Sequence, residues 1–215
     1  MKNPIPAFGL VAFCVCAPAW ADFIPISEPN AAYLSETTLV PFIAADGTVV
    51  SFTTDGTQVL NYSTPLTEFT APSTWSTWNV PPFVETSTPR VGSTGGATSL
   101  TINLSIPANT FGVEVEPNVF QVNPIAVEFF TSGGPAGTID LSVNGFGGAR
   151  LFAAMTDTSP FTSVTITDLA SNDFAIAQQR YGVISPVPEP SSGALIAAVL
   201  SGMTVLLRLG RTHRF

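Results

Sequence analysis

The sequence predicts an all-β protein, an antiparallel β-sandwich of jelly-roll type, and three observations carry that expectation. Leu100, Ile102, Leu104 and Ile106 alternate with Thr101, Asn103 and Ser105, the cleanest period-two pattern in the chain and the mark of a strand with one buried face. Looser alternation recurs at 49–53, 58–63, 110–116, 126–131, 138–143, 149–156, 161–167 and 174–181. Turn pairs such as Asp46-Gly47, Asp55-Gly56, Gly133-Gly134 and Asn144-Gly145 punctuate these stretches. No long helical periodicity competes with this pattern.

From the N-terminus, Lys2 precedes an apolar run over 7–17 and the small-x-small sequence Ala19-Trp20-Ala21 ahead of Asp22, so residues 1–21 read as a secretory signal peptide cleaved at Ala19 and Ala21. Cys14 and Cys16, the only cysteines, follow Phe13 and Val15, bulky residues where a lipoprotein signal would carry small ones. Their removal leaves the body, 22–183, without a disulfide or a thiolate. The only histidine is His213, near the C-terminus. A Ser-His-Asp triad, a His-ligated zinc and a His general base are thereby excluded from the body, and no enzymatic activity is expected of it. Fourteen carboxylates stand against Arg90, Arg150 and Arg180 in the body, a net charge of −11 that disfavours nucleic acid and anionic membrane surfaces. Divalent cations are compatible with that charge.

After the first two strands, residues 71–98, rich in Pro, Gly, Ser and Thr, read as one long loop over the sandwich. Trp75 and Trp78 sit in it. Either both rings pin the loop to the sheet, or they are ligand-binding candidates that stack on sugar faces. In the strand at 110–116, Phe111, Val113 and Val115 take the core face and Glu114 and Glu116 the other. A carboxylate pair serves a glycosidase or a calcium ion, but on an outward strand face two glutamates are expected to be solvated. Asp168, Asn172 and Asp173 bracket the turn before the last strand. They bring hard oxygen ligands together as a candidate calcium site, without the ordered D-x-[DN]-x-[DN]-G loop. No other cofactor is expected.

Beyond the body, Pro186, Pro188 and Pro190 enforce an extended segment. The uncharged stretch 194–207 spans roughly 21 Å as a helix, and extension to 191–209, with Arg208 snorkelling, brings it to roughly 28 Å, close to a bilayer core. Arg208, Arg211 and Arg214 hold the far end in the cytoplasm by the positive-inside rule. The motif Val187-Pro188-Glu189-Pro190, the apolar helix and the terminal arginines together resemble the PEP-CTERM sorting signal of Gram-negative bacteria, here covering 184–215. The likeness implies export by the Sec machinery, an intermediate anchored in the inner membrane, and processing by an exosortase at the Pro-Glu-Pro motif. Delivery to the cell surface or an exopolysaccharide matrix would follow. Residues 97–183 also resemble the β-sandwich ectodomains that precede such tails, a likeness that implies no reaction. The expected protein is thus an exported surface or matrix β-sandwich without activity of its own. The alternative is a carbohydrate-binding module, calcium-assisted or not, that binds exopolysaccharide.

Overall fold

The computed structural model describes residues 23–183. The expected signal peptide with Ala19 and Ala21, the motif at 187–190, the span at 191–209 and Arg208, Arg211 and Arg214 lie outside the described residues. The described chain runs β1 (Ile24–Ile26), α1 (Ala31–Glu36), β2 (Thr38–Val40), β3 (Val49–Thr54), β4 (Val59–Thr70), β5 (Arg90–Ser93), β6 (Ser99–Ala108), β7 (Thr110–Pro117), β8 (Val122–Thr131), β9 (Gly134–Asn144), β10 (Arg150–Met155), β11 (Phe161–Asp168) and β12 (Phe174–Gly182). All nine alternating stretches are strands. The short elements β1, α1 and β2 carry too few residues to show a period, and β5 lies inside what the composition presents as one loop. That loop is 71–89, because β4 runs on to Thr70 and β5 begins at Arg90.

The strands join in the order β1-β10-β7-β12-β5-β4-β6-β11-β8-β9, with β2 added to β12 and β3 to β4. Every pairing is antiparallel. β4 makes the corner of the sandwich. Its first half, Leu60 to Tyr62, pairs with β6, and its last four residues, Thr67 to Thr70, pair with β5. Pro65, which has no N–H to donate, falls between the two halves, and β3 follows the bend through a register shift between Val50 and Phe52. The sheet therefore folds on itself and sets β7 across the core from β9 and β11. Phe111, Val113, Leu100, Ile102, Val127, Phe129, Phe152 and Ile166 fill the space between the leaves. Each such side chain taken fully out of water contributes roughly 1.5–3 kcal/mol.

Two details fix the arrangement. Phe23, just before β1, packs edge-on against Phe129, with ring centroids 5.3 Å apart, and lies over Gly137 of β9. A side chain at Gly137 would collide with that ring, so the glycine lets the residue leading into one edge strand close over the other. In β12 a bulge between Ala177 and Arg180 holds Gln178 at φ +47° and shifts the strand's parity. Gln179 then points inward, fully buried, and its amide bonds the Tyr62 hydroxyl at 2.8 Å, which in turn meets the Thr53 hydroxyl at 2.6 Å. These three side chains are thereby satisfied by one another inside the core.

Ile24, Met155, Thr110 and Gly182 are successive partners across β1, β10, β7 and β12. Both ends of the described chain therefore leave at one pole, three strand spacings or about 14 Å apart. The pair Phe174 and Pro117 marks the other pole, about 25 Å away along β12.

Candidate functional site

The outer face of β7, β12 and β5 is where loop and sheet meet. Ala175 and Ala177 of β12, with Val91 and Ala149, give a shallow apolar floor, and onto it the 71–89 loop lays Trp75, Trp78 and Val84. Both indoles are buried, at 7% and 6% exposure, so their faces are turned to the sheet. An indole N–H taken from water needs an acceptor. Glu116 supplies one for Trp75 at 3.0 Å, and Glu114 one for Trp78 at 3.0 Å. The two glutamates, alternate residues of β7, thus share the outward face that their spacing predicts. They are nevertheless completely buried, contrary to the expectation that they would be solvated, because the loop roofs them.

Both oxygens of each carboxylate are hydrogen-bonded. Glu114 also accepts the backbone N–H of Glu85, at 2.6 Å. Glu116 further accepts the Thr77 hydroxyl at 3.1 Å and the backbone N–H groups of Gly147 and Gly148 at 2.8 and 3.3 Å. Burial pushes the Glu114 carboxyl up to about 8 against the pull of the Trp78 and Glu85 N–H groups, with the Glu85 charge adding to the rise and Arg180 opposing it. Burial raises Glu116 too, against the bonds from Trp75, Thr77, Gly147 and Gly148. These are clamps for a loop. Both carboxylates are fully buried beneath it.

The calcium candidates separate into different networks. Asp168, nearly buried, accepts the N–H groups of Ala170 and Ser171, the Ser171 hydroxyl and the Asn123 amide, which close its own turn. Burial alone would raise this carboxyl, but those bonds outweigh it and hold it below the usual range. Asp173 instead accepts from Ser93, Thr94 and Asn118 at 3.1, 3.0 and 2.7 Å. Asn172 is exposed. Among the described residues no group of three or more His, Cys, Asp or Glu is placed to hold a metal ion.

Asp173 does belong to a larger feature. At the pole marked by Phe174 and Pro117, a cleft of about 350 Å³ opens between the 71–89 loop and the strand ends. Thr74, Trp75, Ser76 and Thr77 of the loop, Ser93, Asn118 and Asp173 at or beside the strand ends, and Phe69 of β4 line it. Phe120 stands at the rim, 72% exposed, and meets Phe146 edge to face, with centroids 5.3 Å apart; Phe146 is itself 63% exposed. Neither phenylalanine belongs to an alternating stretch, but each carries a local signal. Phe120 lies in the turn "NVFQ" and Phe146 in "NGFGG", aromatic residues in connections where polar ones are the rule.

No family model matches the chain, and no curated protein sequence matches it. Among solved structures, the chain is similar to a family 11 carbohydrate-binding module from Clostridium thermocellum in complex with a β-1,3-1,4-mixed-linked tetrasaccharide, at 9% identity and a TM-score of 0.33, over 69% of this chain and 97% of that one. It is also similar to the family 11 module of the cellulosomal cellulase Lic26A-Cel5E of Clostridium thermocellum, at 9% identity and a TM-score of 0.30, over 70% and 99%. A third is the xylanase 10B CBM22-1-GH10 structure of Clostridium thermocellum complexed with xylohexaose, at 11% identity and a TM-score of 0.27, over 79% and 27%. The protein is an all-β, antiparallel sandwich with a roofed outer face and an open polar cleft.

Proposed function

We propose that this chain is an exported β-sandwich module of the cell surface or extracellular matrix that binds polysaccharide in the cleft between the 71–89 loop and the strand ends. The observation that carries the binding is the cleft itself: open, of ligand size, walled by hydroxyl and amide groups, with an exposed aromatic ring at its mouth. Sugars present hydroxyls along their edges and C–H groups on their faces, and this lining offers a partner for each. No reaction is assigned to the site.

A cleft-filling variant tests the binding. Ser76 is exposed in the cleft wall, so Ser76→Trp is expected to fold normally and to lower affinity for exopolysaccharide isolated from the producing bacterium by about tenfold or more, measured by calorimetry. Unchanged affinity would remove the cleft as the site.

Export and sorting are supported by the Pro-Glu-Pro tail and the N-terminal apolar run. Sec machinery, an exosortase and the inner membrane are the partners this entails. The intact mass of protein recovered outside the inner membrane is expected to correspond to a chain starting at Asp22 and ending near Glu189. A full-length species retained in the inner membrane would make the module an anchored one.

A further inference from the structure

We infer that the cleft selects uncharged polysaccharide over uronate-bearing or sulfated chains, and that Phe120, held edge-on by Phe146, is the platform for one sugar ring; this rests on the polysaccharide reading above. Charge is the first ground. The described residues contain three cations, and each is committed elsewhere. Arg90 is bound to Asp46 at 3.2 Å, to Glu68 at 3.4 Å and to the Ala44 carbonyl. Arg180 is bound to Glu85 at 2.6 Å, and Arg150 lies over the Phe83 ring, 4.5 Å from its centroid. None of the three lines the cleft, whose one formal charge is the carboxylate of Asp173. An acidic sugar entering there would meet a like charge without a counter-ion, inside a body of net charge −11. A neutral sugar meets hydroxyl and amide partners that exchange hydrogen bonds with water at little net cost.

The rings at the rim are the second ground. A phenylalanine 72% exposed on a turn forfeits most of the free energy of burying it, and here two such rings stand together. The two rings meet edge to face at 88°, and Phe120 stays accessible beside the cleft. An aromatic face offered beside hydroxyl and amide donors matches the C–H face of a pyranose ring, which carries no charge. A bare hydrophobic partner would leave the polar wall unused.

Affinity electrophoresis of the full-length protein in mild detergent, through gels containing a soluble neutral β-glucan, polygalacturonate or chondroitin sulfate, separates the outcomes. Retardation by the neutral glucan alone, unaffected by added salt and cut by about tenfold in Phe120→Ala, is the expected result. Equal or stronger retardation by either acidic polymer would overturn the charge selectivity and leave the polysaccharide reading standing. Neutral-glucan binding that survives Phe120→Ala undiminished would remove the ring platform. Failure to bind any of these polymers, together with failure to bind the producer's own exopolysaccharide, would sink the polysaccharide reading and this inference with it. Phe120 is a surface residue, so circular dichroism of the variant is expected to match that of the parent protein.

Discussion

Raising the pH from about 5 to about 9 is expected to destabilise the folded protein, and Glu114→Gln is expected to remove most of that loss. The folded state keeps the Glu114 proton to about pH 8, whereas the unfolded chain gives it up near the ordinary value of 4.5. The stabilisation is complete below the unfolded value and disappears as the pH rises through the folded one, at about 1.4 kcal/mol per unit and about 5 kcal/mol at most. Glu116, also raised by burial, acts in the same direction. The groups facing Glu114 are Glu85, whose charge favours the neutral acid, Arg180, whose charge opposes it, and Tyr33, buried beside them. Asp55 and Asp168 work the other way at the acid end. Burial raises each, but hydrogen bonds outweigh it and hold both below the usual value, so their contribution is lost as the pH falls below about 4. Urea unfolding at a series of pH values should therefore show a maximum near pH 5. The Glu114→Gln protein should start lower, because an amide nitrogen cannot accept one of the two N–H bonds, and should then stay flatter. An unchanged slope in the variant would show that Glu114 is ionised throughout.

The second large effect is expected from Trp78→Ala. Removing the indole empties the space between the 71–89 loop and Ala149, Ala175 and Ala177, and takes away one of the two donors that bind Glu114. Deletions of buried aromatic side chains cost roughly 3–5 kcal/mol. The loss should couple to Glu114: with Glu114→Gln already present, Trp78→Ala should cost less, a non-additivity readable in a double-mutant cycle. A cost under about 1 kcal/mol would mean that the loop holds its place without the ring.

What the sequence disclosed and what it concealed divide along physical lines. Alternation located every described strand of six residues or more, since period two is what a half-buried strand imposes; β6 and β11 are of this kind. It misled at β7, where the pattern of apolar and acidic residues is correct but both faces are covered. Nothing local in "TFGVEVEPN" announces that a segment 30 to 40 residues earlier will roof its glutamates. The same covering decides the tryptophans: of the two readings their Pro-, Ser- and Thr-rich surroundings allow, the pinned loop is the one the structure shows. β5 was hidden because four residues, one of them glycine, within a Pro- and Gly-rich stretch carry no period, and their pairing with β4 and β12 is wholly non-local. The cleft was partly visible through Asp173, but its other wall comes from loop residues brought there by tertiary packing.

The placement of the cleft at the far end of β12 from Val183 has a mechanical consequence. Tension applied between the cleft beside Asp173 and Val183 would run along the length of β12, from Phe174 to Gly182. That strand is paired on both sides, with β7 on one and β5 and β2 on the other. Its hydrogen bonds run across the line of pull, so tension loads them in shear and together instead of peeling them one at a time. A pull between the cleft and Val183 would therefore be borne by one of the most heavily cross-braced strands of the sandwich.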